Sequence, residues 1–140
     1  MMQKVILSVR GKQCYPGQDP EVIELVTEGT MLQIPGGWDI SYEESDLTGL
    51  AGTTTTFRVE PACVTLTRKG PLSSQMVFRQ GVPHESLYQM PFGAMMITVC
   101  ASQVRYDLSA QGGTIDLVYA IEIENTAAGM IEYHLDIRTK

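Results

Sequence analysis

The sequence predicts an all-β protein, a single domain over residues 1–140 in which one antiparallel sheet closes, or nearly closes, into a barrel of about 8–10 strands. Three observations predict it. Apolar side chains recur at every second position in nearly every segment, the period that turns one side of a strand to a core and the other to water. Clusters of Gly, Pro, Asn and Asp interrupt the alternation roughly every 8 to 12 residues. No segment demands a helix: Glu21–Thr27 is short, and Val22, Ile23, Val26 and Thr27 within it are β-branched. With no helix to cover a face, closure is what protects the sheet edges, although the period alone also fits a two-layer sandwich.

The elements follow in order. Val5, Leu7 and Val9 share one face of a first strand, and Ile23 and Leu25 share a face of a second across the turn region Cys14–Pro20. Pro35-Gly36-Gly37 breaks the chain before Trp38, Ile40 and Tyr42, which alternate with Asp39, Ser41 and Glu43. Glu44–Gly52 reads as a polar loop. Thr53–Glu60 and Ala62–Lys69 are β-branched runs, with Phe57 and Val59 in phase on one and Val64 and Leu66 on the other; the four threonines 53–56 suit a strand edge. Met76 and Phe78 share a face, as do His84, Ser86 and Tyr88 after the Gly81-Val82-Pro83 turn. Met95–Ala101 is the most apolar strand, with Val104–Leu108 continuing it or pairing beside it, and Gly112-Gly113 marks a turn. Ile115, Leu117, Tyr119, Ile121 and Ile123 form the longest clean alternation, and Ile131, Tyr133, Leu135 and Ile137 close the chain.

Composition removes several classes of function. Ten Lys and Arg against sixteen Asp and Glu leave a net charge of −6, so neither nucleic acid nor an anionic membrane surface is an expected partner. With 44% hydrophobic and 19% charged residues the chain is globular in composition, and at this size it can bury about two thirds of its surface. No apolar run approaches the length of a membrane span or a signal peptide. Cys14, Cys63 and Cys100 are odd in number and show no Cys-x-x-Cys pair, which fits a reducing cytoplasm.

Tyr42-Glu43-Glu44, then Asp46, Gly49 and the Thr53–Thr56 run, resemble the front half of the YwiB-like bacterial proteins, a family of uncharacterised function. Met76-x-Phe78-x-x-Gly81-x-x-His84-x-x-x-Tyr88-x-x-Pro91-x-Gly93 is similar to that family's central signature, and Gly113-x-Ile115-x-Leu117-x-Tyr119 to its next strand. The resemblance implies a small cytoplasmic barrel of the calycin group, the architecture of lipocalins and fatty-acid-binding proteins. It brings no catalytic residue or cofactor with it.

Chemistry-bearing residues are few. His84 and Tyr88 lie in phase, an imidazole and a phenol able to share a pocket, or else a turn-fixing histidine and a ring closing the barrel. Tyr42, Glu43, Glu44 and Asp46 cluster oxygens at a strand exit, suited to a hard cation or, more simply, to a solvated turn. Arg68 is in phase with Leu66, whereas Arg58 and Arg79 lie opposite Phe57 and Phe78 and are expected to pair with Glu60 or Glu122. Cys63, Cys100, His84 and His134 lack zinc-site spacing, and neither a Gly-x-Ser-x-Gly elbow nor a phosphate-binding glycine loop is present, so no metal or cofactor is expected. Eight methionines, Met76, Met90, Met95 and Met96 among them, suit either an adaptable lumen or an ordinary core.

The reading that follows is a non-enzymatic binder of a small apolar or amphipathic ligand. Phe57, Met76, Phe78, Tyr88 and Tyr119 would line the lumen, with His84 and Arg68 as polar anchors. The alternatives are a structural module that forms a homodimer through a sheet face or edge, and a small hydrolase or isomerase using His84 and Tyr88.

Overall fold

The computed structural model describes residues 2–44, 51–71 and 73–140, and every regular element among them is a strand. In chain order these are β1 (Met2–Cys14), β2 (Glu21–Ile34), β3 (Gly37–Glu43), β4 (Thr54–Glu60), β5 (Cys63–Lys69), β6 (Ser74–Phe78), β7 (Pro83–Met90), β8 (Gly93–Ser109), β9 (Gly112–Ile123) and β10 (Thr126–Thr139). Glu21–Thr27 is therefore strand, as its β-branched content favours over helix. Among the described residues no helix is long and apolar enough to cross a membrane.

Spatial order runs β6-β5-β4-β3-β2-β1-β10-β9-β8-β7, with every ladder antiparallel. Each strand thus lies beside its neighbours in sequence, and the two ends of the chain are joined by the β1–β10 ladder, from Val5 opposite Thr139 to Cys14 opposite Met130. The remaining gap falls between β6 and β7. Ser73 and Gln89 exchange both backbone bonds at 2.8 Å there, and the Gly81 amide donates to the Ala101 carbonyl at 2.8 Å. Between those points the Val77 amide donates to Nδ1 of His84 at 3.4 Å, so a side chain supplies the acceptor that a neighbouring strand would otherwise provide. The result is a nearly closed ten-stranded barrel.

Inward positions fill the middle of this barrel. Ile40, Phe57, Leu66 and Met76 are successive cross-strand partners and form one buried row, and Leu7, Phe78, Leu117 and Leu135 are buried with them. Phe78 packs on Tyr119 with ring centroids 4.5 Å apart, and Phe57 on Tyr133 at 5.6 Å. The outer face is charged: Glu24, Arg10, His134, Asp116 and Arg105 are consecutive partners across β2, β1, β10, β9 and β8, and a side-chain bond joins His134 to Asp116. That alternation of sign suits a water-facing sheet, where such pairs add little stability.

Two local expectations are corrected and a third is resolved. The glycines at 112 and 113 open β9 instead of forming the turn, which is made by Ala110 and Gln111. Gly113 has φ +144, and a Cβ there would lie 1.8 Å from the Asp107 carbonyl oxygen, so the residue is required by close approach of β8 and not by reversal of the chain. Of the two arrangements expected for Val104–Leu108, continuation is the one observed: one strand, β8, runs through it from Met95–Ala101, with a bulge between Ala101 and Gln103. The threonine run does not sit at a sheet edge, because β4 is paired on both sides and Thr55 points inward and is buried.

The single side-chain bond in the seam sets a testable local stability. His84→Ala leaves the Val77 amide without an acceptor, worth about 1 kcal/mol, so its hydrogen exchange should accelerate roughly fivefold while amides in the β9–β10 ladder keep their protection. Equal acceleration in both places would show that the seam is held by something other than this bond.

Candidate functional site

One row of inward positions next to the packed middle is polar. Gly29, Tyr42, Thr55, Arg68 and Ser74 are consecutive partners across β2, β3, β4, β5 and β6, and they lie one inward step from the Ile40–Phe57–Leu66–Met76 row. The strand period alone accounts for this placement. Arg68 follows Leu66 by two residues, Tyr42 follows Ile40 by two, and Glu44 continues the same phase. Tyr133 joins the layer from β10, its hydroxyl 3.2 Å from that of Tyr42.

The layer holds one buried charge pair. Glu44 accepts the Thr55 hydroxyl at 2.8 Å, and its Oε2 lies 3.9 Å from Nε of Arg68. The Glu44 side chain is 1% exposed and that of Arg68 13%, so both are largely removed from water. At 3.9 Å the pair interacts through charge without a hydrogen bond, and Nε of Arg68 is buried with no partner. Its cross-strand neighbour Ser74 has a buried hydroxyl in the same condition. Two orphaned polar groups side by side are unusual in a protein interior, where such groups find partners.

Electrostatics tie the tyrosines to the arginine. Burial pulls the Arg68 pKa down, but the oxygens of Tyr133, Tyr119 and Tyr42 and the Glu44 carboxylate outweigh it, leaving the guanidinium more firmly protonated than usual. Burial pushes the Tyr42 phenol far above its ordinary value, reinforced by Tyr133 and Glu44. Burial raises Tyr119 too, against the pull of Arg68.

Space accompanies these groups. A cavity of about 100 Å³ is bounded on its polar side by Tyr42, Glu44, Arg68 and Tyr133 and on its apolar side by Val9, Gly11, Ile23 and Leu25. Arg68 and Ser74 also border a groove of about 490 Å³ that opens outward along the seam beside Lys69, Ser73, Leu87 and Gln89. In the cavity Arg68 supplies donors only, the Tyr42–Tyr133 pair has one hydroxyl hydrogen left over, and Glu44 supplies acceptors, so a guest can meet both kinds of group.

Of the residues the sequence singled out, Arg68 lines the cavity and Tyr119 lies within its electrostatic reach. Phe57, Met76 and Phe78 are buried in the packed middle of the barrel. Tyr88 is half-buried against the core on the same face of β7 as His84, and His84 is engaged by the Val77 amide at the seam. The carboxylate cluster is not a solvated loop: Tyr42 and Glu44 turn inward and are buried, Glu43 turns outward to accept the Thr54 hydroxyl, and Asp46 lies outside the described residues. Arg58 pairs with Asp39, through two bonds of 2.9 and 2.8 Å, and not with Glu60 or Glu122, because Asp39 is its direct partner on β3. Among the described residues no three His, Cys, Asp or Glu gather as metal ligands, and Cys63 lies beside Thr65 while His134 pairs with Asp116. Sequence reasoning missed Ser74 and the role of Tyr133 in the polar layer; only their inward phase signalled them.

The raised phenols give a pH prediction. In the unfolded chain Tyr42 and Tyr119 ionise near the ordinary value of about 10, whereas in the folded barrel they stay neutral. Above that pH the unfolded state binds fewer protons, so the stability these groups contribute is full below about pH 10 and falls as pH rises further. Tyrosinate absorbance between about pH 10 and 11 should therefore be the same in Tyr42→Phe, Tyr119→Phe and the parent while the fold persists, and should differ by one tyrosine after base unfolding. A smaller native amplitude in either variant would show that the phenol meets solvent.

Three comparisons place the fold among known proteins. A family model described as a domain of unknown function (DUF1934) matches residues 7–137. The crystal structure of the ywiB protein from Bacillus subtilis superposes with a TM-score of 0.84, covering 96% of this chain and 92% of that one at 21% sequence identity, a level at which the fold is what is shared. The search of curated proteins finds no match. With the family model spanning nearly every strand of the barrel, the chain belongs to the DUF1934 family and is YwiB-like.

Proposed function

We propose that this protein is a non-enzymatic barrel that holds a small amphipathic molecule by an anionic group at the Arg68 end of its lumen. The observation that carries the reading is Arg68, a largely buried guanidinium whose Nε lacks a hydrogen-bond partner, on the wall of a cavity that Tyr42 and Tyr133 also line. A buried donor without a partner costs about 1–3 kcal/mol, a cost that a bound acceptor offsets. His84 has a role in the wall of the barrel, where Nδ1 of its imidazole accepts the Val77 amide at 3.4 Å. Three free cysteines support a reducing compartment such as the cytoplasm, and the antiparallel meander supports kinship with the calycin group.

Gly11 provides the test. It lies in a regular strand at the cavity wall, and a Cβ added there meets nothing within 4 Å, so Gly11→Val should fold and fill the space. In thermal unfolding with a panel of small organic anions, a true ligand at one hundred times its Kd should raise the parent Tm by about 10 °C and leave the variant unmoved. Failure of every anion to shift the parent, or equal shifts in both proteins, would sink the reading.

A second reading is self-association. Phe92, 86% exposed at the β7–β8 turn, and Leu87, 50% exposed on the outer face of β7, give it support. Sedimentation should then show a dimer in the parent that Phe92→Ser converts to monomer; a monomeric parent at all concentrations removes this reading.

A further inference from the structure

We infer that the group accepted at Arg68 is a carboxylate on a short aliphatic stem, so that the ligand is a small monocarboxylic acid. The inference rests on the binding reading above and adds the chemical class.

Size sets the first limit. A cavity of about 100 Å³ is far smaller than the sites that enclose drug-sized ligands, and suits a carboxylate on a short stem. The row beneath is occupied: Ile40, Phe57 and Leu66 are each 0% exposed, so a long chain cannot descend into the lumen. Val9, Ile23 and Leu25 line the cavity together with Gln13 and the polar groups, which gives a short aliphatic stem apolar contact near its head group.

Charge and geometry set the second. Arg68 lines this cavity with a planar guanidinium, a fork of donors of the kind that two carboxylate oxygens satisfy. The spare hydrogen of the Tyr42–Tyr133 pair adds a neutral donor on the same cavity wall. Glu44 lies 3.9 Å from Nε, so the layer already contains one negative charge for its one positive charge. Any anion seated on Arg68 lies near Glu44, so a carboxylate brings one repelled charge there and a phosphate dianion brings two.

The experiment is a titration at constant ionic strength, read from the Arg68 Nε–Hε resonance by NMR, with butyrate, its neutral isostere butyramide, octanoate and inorganic phosphate as probes. Butyrate should shift that resonance saturably, with butyramide and octanoate at least about tenfold weaker and phosphate not saturating. Arg68→Lys, which keeps the charge and loses the fork, should weaken butyrate about tenfold. Gly11→Val, which leaves Arg68 in place, should abolish the response and so decides the matter if the Arg68 variant does not fold. Saturable phosphate binding without butyrate binding overturns the carboxylate assignment and leaves the binding reading intact. Butyrate binding undiminished in Gly11→Val overturns the assignment to this cavity. Silence with all four probes overturns the inference, while the broader anion panel still judges the binding reading separately.

Discussion

A sheet with no helix to cover it has two edges of unpaired amides and carbonyls, and this protein disposes of both by joining them. β1 and β10 share a ladder from Val5 to Cys14, which ties the ends of the chain together in the middle of the sheet and leaves β6 and β7 as the strands that face each other across the seam. Along the β6–β7 seam the described hydrogen bonds are the Ser73–Gln89 pair and the Val77 amide to His84, with Gly81 of the connecting turn bonded to Ala101 of β8. Everything inside follows from this closure, because only a closed wall turns the period-two alternation into a single interior, and only an interior makes the placement of one arginine consequential.

The legible part of the sequence was the part governed by that alternation. Trp38, Ile40 and Tyr42, or Ile115, Leu117 and Tyr119, announce their faces because neighbouring residues of opposite polarity leave no second choice. The same rule located Arg68 in the lumen, since a charged residue two positions from Leu66 keeps its phase whatever its chemistry. Glu44 was obscured by context: it follows Glu43 and precedes polar residues, a composition that reads as loop, yet its backbone amide bonds the Thr53 carbonyl and its side chain points inward. Ser74 and Tyr133 were hidden for a different reason. Whether an inward polar group finds a partner depends on residues from distant strands, such as Tyr42 and Tyr133, separated by 91 positions. Pairings like Arg58 with Asp39 require the register of two strands, which hairpin length and turn type determine and local pattern does not.

Energetically the polar layer is a departure from the rest of the interior. Replacing a buried ion pair with well-packed apolar residues is commonly neutral or stabilising, so Arg68 and Glu44 are not needed to make this barrel fold. The aromatic and aliphatic rows beneath already supply the burial on which stability rests, through Phe57, Phe78, Leu66 and their neighbours. What the pair does supply is a localised donor surface in a low-dielectric setting, where a hydrogen bond to a charged group is worth more than it is in water.

Steric arithmetic points the same way. Most of the lumen is filled by side chains, as expected of a small barrel, and the space that remains coincides with a residue that has none, Gly11, in a strand conformation any residue can adopt. Gly29, also inward, is different: a Cβ there would lie 2.5 Å from the Ser41 carbonyl oxygen and 2.8 Å from Leu7, so packing alone requires glycine. No such contact requires it at position 11. An open position beside an unpartnered guanidinium nitrogen is a costly combination for a protein that binds nothing, because a valine at 11 would bury more apolar surface without strain. The coincidence of missing side chain, missing hydrogen-bond partner and remaining volume at one end of the barrel is the physical case for occupancy there.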